Sequence, residues 1–165
     1  MITLDRALEI MGETLEGFSL QSEVRPIKTS AGRILADSVS SAIDLPPFDK
    51  SAMDGFAVPK SQEFKIGDKW EIIETVRAGE IARLPLRDGA CTRIMTGAPV
   101  PENAYKVIPV ELTQEDEEIM TLVKDSTALN ICKMGEDVTR GQIIAYKGDI
   151  LNPLKLAVLH GAGVE

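Results

Sequence analysis

Three short segments put ionisable or hydroxyl side chains beside glycine and proline, the combination a binding or reacting loop needs. The first is Leu45-Pro46-Pro47-Phe48-Asp49-Lys50-Ser51-Ala52-Met53-Asp54-Gly55-Phe56-Ala57-Val58. Its two prolines fix φ and deny the backbone regular pairing. Asp49, Lys50, Ser51 and Asp54 are then interleaved, without a clean period, with Phe48, Ala52, Met53 and Phe56. The same pattern suits a proline-braced linker in which Asp54-Gly55 is an ordinary turn. The second segment, Arg93-Ile94-Met95-Thr96-Gly97-Ala98-Pro99-Val100-Pro101, ends a strand in a hydroxyl beside a glycine, where a ligand can approach the backbone. Its alternative is a strand-exit turn. The third, Asn130-Ile131-Cys132-Lys133-Met134-Gly135-Glu136-Asp137-Val138, sets two acids after a glycine. Hard carboxylate oxygens suit Mg²⁺, or the acids simply face water. No P-loop, dinucleotide fingerprint or catalytic triad is present, and His160, near a helix C-terminus, reads as structural.

The elements that must position these segments are short. Leu4, Ala7, Leu8, Met11 and Leu15 share one helical face, with Thr3 as N-cap, Asp5 in the first turn and Gly17 as the stop. Such a stripe needs a partner surface. Glu23–Ile27 reads as extended, Ser30–Ala36 as a short helix or turn, and Asp37–Ile43 as a weak strand. Strands are expected over Trp70–Val76, Cys91–Met95, Tyr105–Val110 and Ile119–Val123, with the acidic run Glu111–Glu118 as a solvated hairpin loop. Gly141–Ala145 and Asp149–Leu151 are strand-like. Asn152 and Pro153 then open a helix with Leu154, Ala157 and Val158 on its apolar face and Gly161 just past its end.

Helical elements at both ends and strands between predict an α+β fold. A discontinuous mixed helical and strand domain, residues 1–42 plus 128–165, carries an inserted small β-barrel or sandwich over residues 43–127. Composition narrows the partners. The chain has 165 residues, of which 44% are hydrophobic, so it can bury a core. A net charge of −8 with 4% aromatics argues against nucleic acid and against an anionic membrane surface. No apolar run is long enough to span a bilayer, and the N-terminal residues lack the basic and apolar regions of a signal peptide. Cys91 and Cys132 form no CxxC and, with one histidine, cannot complete a four-ligand zinc site. A cytoplasmic, reduced protein is expected.

Taken together, the segments resemble the N-terminal half of the molybdopterin molybdenumtransferases, the bacterial MoeA and gephyrin E-domain family. Pro46–Val58 is similar to P-x-F-D-x-S-A-M-D-G-[YF]-A, Arg93–Pro101 to R-I-M-T-G-A-P-x-P, and Asn130–Val138 to N-I-R-x-x-G-E-D-[IV]. Ala78-Gly79-Glu80 falls where the family has an A-G segment. The resemblance implies insertion of molybdate into adenylylated molybdopterin with release of AMP, with Mg²⁺ as the divalent metal, at a cleft in a homodimer. It implies catalytic roles for Asp54, Thr96 and Asp137, with Asp54 and Asp137 also at the metal. Ser51, Gly55, Arg93, Gly97 and Glu136 are implied as cofactor-binding positions, although Arg93 reads equally as an ion-pair partner. Two departures stand out: Cys132 occupies the place of the family arginine, followed by Lys133, and Asn103–Val107 replaces the usual G-A-D-A-V. Molybdate and pterin phosphate are anions, and this acidic chain shows no nest of basic groups for them. The resemblance therefore implies that following domains, or a separate molybdopterin-handling protein, supply those groups and that the chain is inactive alone. The alternative function is a non-catalytic binding or scaffold module of the same fold.

Overall fold

A computed structural model describes residues 2–60, 63–124 and 126–165. Chain order is α1 (Leu4–Leu15), β1 (Val39–Ser40), β2 (Lys50–Ser51), β3 (Gly55–Pro59), β4 (Lys69–Val76), β5 (Ala90–Ile94), β6 (Ala104–Pro109), β7 (Thr113–Asp116), β8 (Ile119–Leu122), β9 (Ile131–Cys132), β10 (Ile143–Ala145) and α2 (Pro153–Gly161). Single 3₁₀ turns lie at Ile27–Thr29 and Val110–Leu112. The described residues contain no helix long and apolar enough to cross a membrane.

Six strands form one sheet in the order β6-β3-β5-β4-β8-β7. All neighbours are antiparallel except β4 and β5, whose parallel pairing requires the crossover through residues 77–89. Glu74 steadies that crossover, its two carboxylate oxygens accepting from Arg83 N and Leu84 N at 3.0 and 3.1 Å. The sheet is buried on both faces. Phe56, Val58, Trp70, Cys91, Ile108, Met120 and Leu122 form one cluster, and Ala57, Val76, Leu86, Ile94, Ala98 and Val107 the other. Period-two alternation divides β3 and β6 between them.

The sheet is curled. Along a flat sheet β5 and β7 would stand about 14 Å apart, three strand spacings. Yet Arg93 Nη1 on β5 donates to both oxygens of Glu115 on β7, at 2.7 and 2.6 Å. The Arg93 guanidinium also lies over the Phe56 ring, 5.9 Å from its centroid, so the Phe56 cluster fills the inside of the curl. Among the described residues β6 and β7 each pair with one strand only, so the sheet does not close on itself. A smaller core gathers the ends of the chain: Ala145, Leu151 and Leu159, packed by Ile27, Leu35, Val39, Leu156 and Val164. There β1 pairs with β10, and residues 32–35 exchange backbone hydrogen bonds with residues 148–151.

Several expectations are corrected. The acidic run is not loop throughout. Val110–Leu112 is a 3₁₀ turn, Thr113–Asp116 is β7, and Glu117 and Glu118 make the hairpin turn, Glu117 at φ 52°. Backbone pairing with β8 holds β7 although its side chains have no apolar alternation. Of the two readings of Ser30–Ala36 the turn holds, followed by a bridge from Ile34 to Ile150, and the weak strand shortens to β1. Thr3 and Asn152 cap their helices as expected, accepting from Arg6 N and Lys155 N. However, α2 continues through Gly161, and the left-handed glycine is Gly163 at φ 80°. The buried side of α2 is Leu156 and Leu159, while Leu154 and Val158 are exposed. No residue of α1 is buried, so its apolar stripe is uncovered.

Gly55 opens β3 rather than a turn, and a Cβ there would overlap the Ile108 carbonyl. Gly55→Ala is expected to lower stability by about 1–3 kcal/mol, read from the urea midpoint at unchanged slope. Thr92 offers the opposite case. Its Oγ1 is buried with no hydrogen-bond partner among the described residues. Thr92→Val, which removes that hydroxyl and keeps the shape, is expected to raise stability by about 1 kcal/mol in the same assay.

Candidate functional site

The three chemistry-bearing segments meet, and residues 45–54 run between the other two. On one side Ser51 N donates to Ala98 O at 2.9 Å, Gly97 N to Ser51 O at 2.8 Å and Val100 N to Asp49 O at 2.9 Å. Gly97 reaches this position in the left-handed region, at φ 82°, which explains a glycine there. On the other side β2 pairs with β9, Lys50 opposite Cys132 and Ser51 opposite Ile131. Further along, Leu45 N donates to Val138 O at 2.8 Å, Asp137 N to Leu45 O at 3.0 Å and Gly135 N to Pro46 O at 2.9 Å. An irregular, proline-containing segment is thereby provided with backbone partners on both flanks, as burial demands.

Asp54 and Thr96 are in direct contact. Thr96 N–H and Thr96 Oγ1–H both donate to Asp54 Oδ1, each at 2.7 Å. The amide and then the hydroxyl of Thr96 hold the Asp54 carboxyl below the usual aspartate range, so it is ionised at neutral pH. An ionised carboxylate only accepts, so the hydroxyl proton points at Asp54 and Thr96 offers an incoming ligand its lone pairs. Asp54 Oδ2 keeps no protein donor among the described residues, and the pair is exposed.

Glu136 and Asp137 form a second group beside β9. Glu136 Oε2 accepts from Lys133 N at 2.8 Å, and its side chain also engages the Cys132 thiol. That hydrogen bond, then burial, raises the thiol above the ordinary cysteine range, with the charge of Asp137 adding to it and Lys50 opposing. Cys132 is therefore a neutral thiol at the place of the family arginine, and both cysteines are free. Burial drives Cys91 further, up to about 12. Lys133 Nζ is taken by Asp49 Oδ2 at 2.7 Å, while Asp49 Oδ1 accepts from Met134 N at 2.8 Å. These two bonds, the lysine first, hold the Asp49 carboxyl below its usual range.

The other candidates are placed differently. Ser51 is buried, and its hydroxyl bonds to Met53 O at 2.5 Å, so it shapes the turn toward Asp54. Arg93 is held by Glu115 inside the curl. No hydrogen bond or ion pair joins Asp54 to Asp137, and no three His, Cys, Asp or Glu side chains among the described residues gather as a metal cage. Asp49 and Lys50 carry no role legible in the sequence, yet Asp49 bonds across to one side-chain and one main-chain group of the third segment. No local pattern signals that contact, because its partners are 84 and 85 positions away.

Fold and site together define a mixed helix and strand protein with a curled sheet, in which three segments distant in sequence converge on an acidic surface. The family model for the MoeA N-terminal region, domains I and II, matches residues 2–163, and the chain belongs to that family. It is 34% identical over 171 residues to a molybdopterin molybdenumtransferase of Haemophilus influenzae, covering 99% of this chain and 41% of that protein. It is 35% identical over 140 residues to a Staphylococcus aureus molybdopterin molybdenumtransferase, covering 81% of this chain and 33% of that one. A solved molybdopterin biosynthesis moeA protein from Pyrococcus horikoshii superposes with a TM-score of 0.80 at 29% identity, over 100% of this chain and 43% of that one. The chain thus spans about a third to two fifths of the length of these relatives.

Thr96→Val removes one of the two donors to Asp54. The expected result is an upward shift of the Asp54 carboxyl titration followed by NMR, toward the ordinary aspartate value. Because the fold lowers this pKa, the interaction stabilises the protein above the ordinary value and is lost as pH falls through the folded one. The acid limb of the wild-type stability profile should therefore lie at lower pH than that of Thr96→Val.

Proposed function

We propose that this chain forms the acidic wall of a molybdenum insertase, at which molybdate enters the dithiolene of adenylylated molybdopterin and AMP is released. The observation that carries the reading is the Asp54–Thr96 contact. A carboxylate is kept ionised and exposed where three family motifs are laced together. The family membership and the names of the relatives support the same reaction.

The donor chemistry suits Mg²⁺ of the kind that uses one or two carboxylates and completes its shell with water and substrate phosphate, rather than a dedicated protein cage. Asp54, through its free Oδ2, and Asp137 would hold it. There it would supply positive charge to offset that of an anionic substrate. The chain's own part is electrostatic and positional. Asp54 accepts from a water or holds the ion in place, Thr96 keeps Asp54 ionised and oriented, and Glu136 sets the turn bearing Asp137 through Lys133 N.

Anion recognition is assigned to sequence outside this chain. Of the cations in the three segments, Arg93 and Lys133 are neutralised by Glu115 and Asp49, which leaves Lys50. Organisation as residues 1–42 plus 128–165 with 43–127 inserted is supported by the pairing of β1 with β10 and by a separate core at Ala145, Leu151 and Leu159. The uncovered stripe of α1 supports further domains and a homodimer, and the protein is read as cytoplasmic.

Asp54→Asn in the full-length protein is expected to lower molybdenum insertion at least about 100-fold with only a small fall in melting temperature, because Asn keeps an oxygen for both Thr96 donors. Equal loss of activity and melting temperature would instead assign Asp54 to folding. Residues 1–165 alone are expected to release no AMP from the adenylylated substrate, and unaided turnover would refute the role given to absent sequence.

A further inference from the structure

The turn bearing Glu136 and Asp137 has no regular secondary structure of its own beyond β9. It is held almost wholly by residues 44–49. Pro46 O accepts from Gly135 N, and Leu45 O accepts from both Asp137 N and Val138 N, at 3.0 and 3.2 Å. Asp44 Oδ1 accepts from Arg140 N at 2.9 Å. The side chain that enters the turn near its start is Asp49, with Lys133 Nζ on one oxygen and Met134 N–H on the other. The Asp49 carbonyl accepts from Val100 N at the same time, so this residue joins the turn to the segment containing Thr96. A half-buried carboxylate that spans two donors in this way restrains its partners in direction as well as distance, because each oxygen is committed to one donor.

We propose that Asp49 is a positioning residue, whose carboxylate, bonded to Lys133 and to the Met134 amide, sets the turn that presents Glu136 and Asp137 to the site. The geometry also gives Lys133 a defined task. It secures Asp49 and is not available as a replacement for the anion contact of the family arginine. The catalytic consequence rests on the function proposed above, whereas the structural consequence does not.

The test uses the intact protein and reads two quantities, amide hydrogen exchange and Mg²⁺-dependent molybdenum insertion. In Asp49→Ala, the amides of Met134, Gly135, Asp137 and Val138 are expected to exchange about tenfold faster or more, while those of Phe56–Val58 keep their rates. The activation constant for Mg²⁺ is expected to rise about tenfold, with a smaller fall in the rate at saturating metal. Asp49→Asn keeps an oxygen for Met134 N–H and weakens only the lysine contact, so both effects should be intermediate. Lys133→Ala should match Asp49→Asn. Faster exchange at Met134 alone overturns the proposal, because the carboxylate would then hold one amide and not the turn. Should Asp49→Ala unfold the protein, Asp49→Asn decides: acceleration confined to residues 133–138 supports the proposal, and uniform or absent acceleration overturns it. A loosened turn with unchanged Mg²⁺ dependence overturns the positioning role while wild-type insertion leaves the proposed function standing. A wild-type protein that inserts no molybdenum refutes that function, and the exchange pattern still tests the Asp49 contact.

Discussion

The structure depends on residues 45–54 finding hydrogen-bond partners on both flanks. This stretch is too irregular to join the large sheet, yet it enters the protein at Pro46 and Ser51, which are buried. Its polar main chain must therefore be paired by other segments. Residues 97–100 supply one side and residues 130–138 the other. The pairing that solves a backbone problem also delivers Asp54 to Thr96 and Asp137 to Leu45. Folding and the meeting of these three segments are one event, since neither flank could be released without leaving buried donors or acceptors unmatched.

Electrostatics explains what this surface offers. Asp54 remains a carboxylate because two donors from Thr96 favour the charged form. Cys132 remains a thiol because Glu136, burial and Asp137 all disfavour its anion. Arg93 and Lys133 are neutralised by Glu115 and Asp49, and Lys50 is the remaining cation of the three segments. The charged oxygens left exposed on this surface are therefore those of carboxylates, Asp54 foremost.

Much of the local structure was legible in the residue order. Strands β4, β5, β6 and β8 fall within a residue or so of the expected segments, because β-branched and apolar residues are bounded there by turn signals. Thr3, Asn152 and Pro153 announce helix starts through chemistry confined to one turn. The misses share a cause. Strand β7 carries Thr113, Gln114, Glu115 and Asp116, a solvated-looking run that is a strand only because β8 lies beside it. The buried side of α2 is chosen by Ile27, Leu35 and Val39, which the helix itself cannot register. Gly55 looks like a turn glycine until the Ile108 carbonyl is seen where its side chain would be.

The sequence by itself determined the inventory: the acids, the hydroxyl, the stiffening prolines, the overall negative charge and the motif order that resembles one family. Only the tertiary structure decided which of them meet. Asp54 and Thr96 are 42 positions apart, and Asp49 and Lys133 are 84 apart. Capping and alternation act over a few residues, within reach of local pattern. A contact across such separations exists only once the curled sheet and the segment laced beneath its strand ends have closed the intervening loops, and nothing in the neighbours of Asp49 encodes where that closure leaves it.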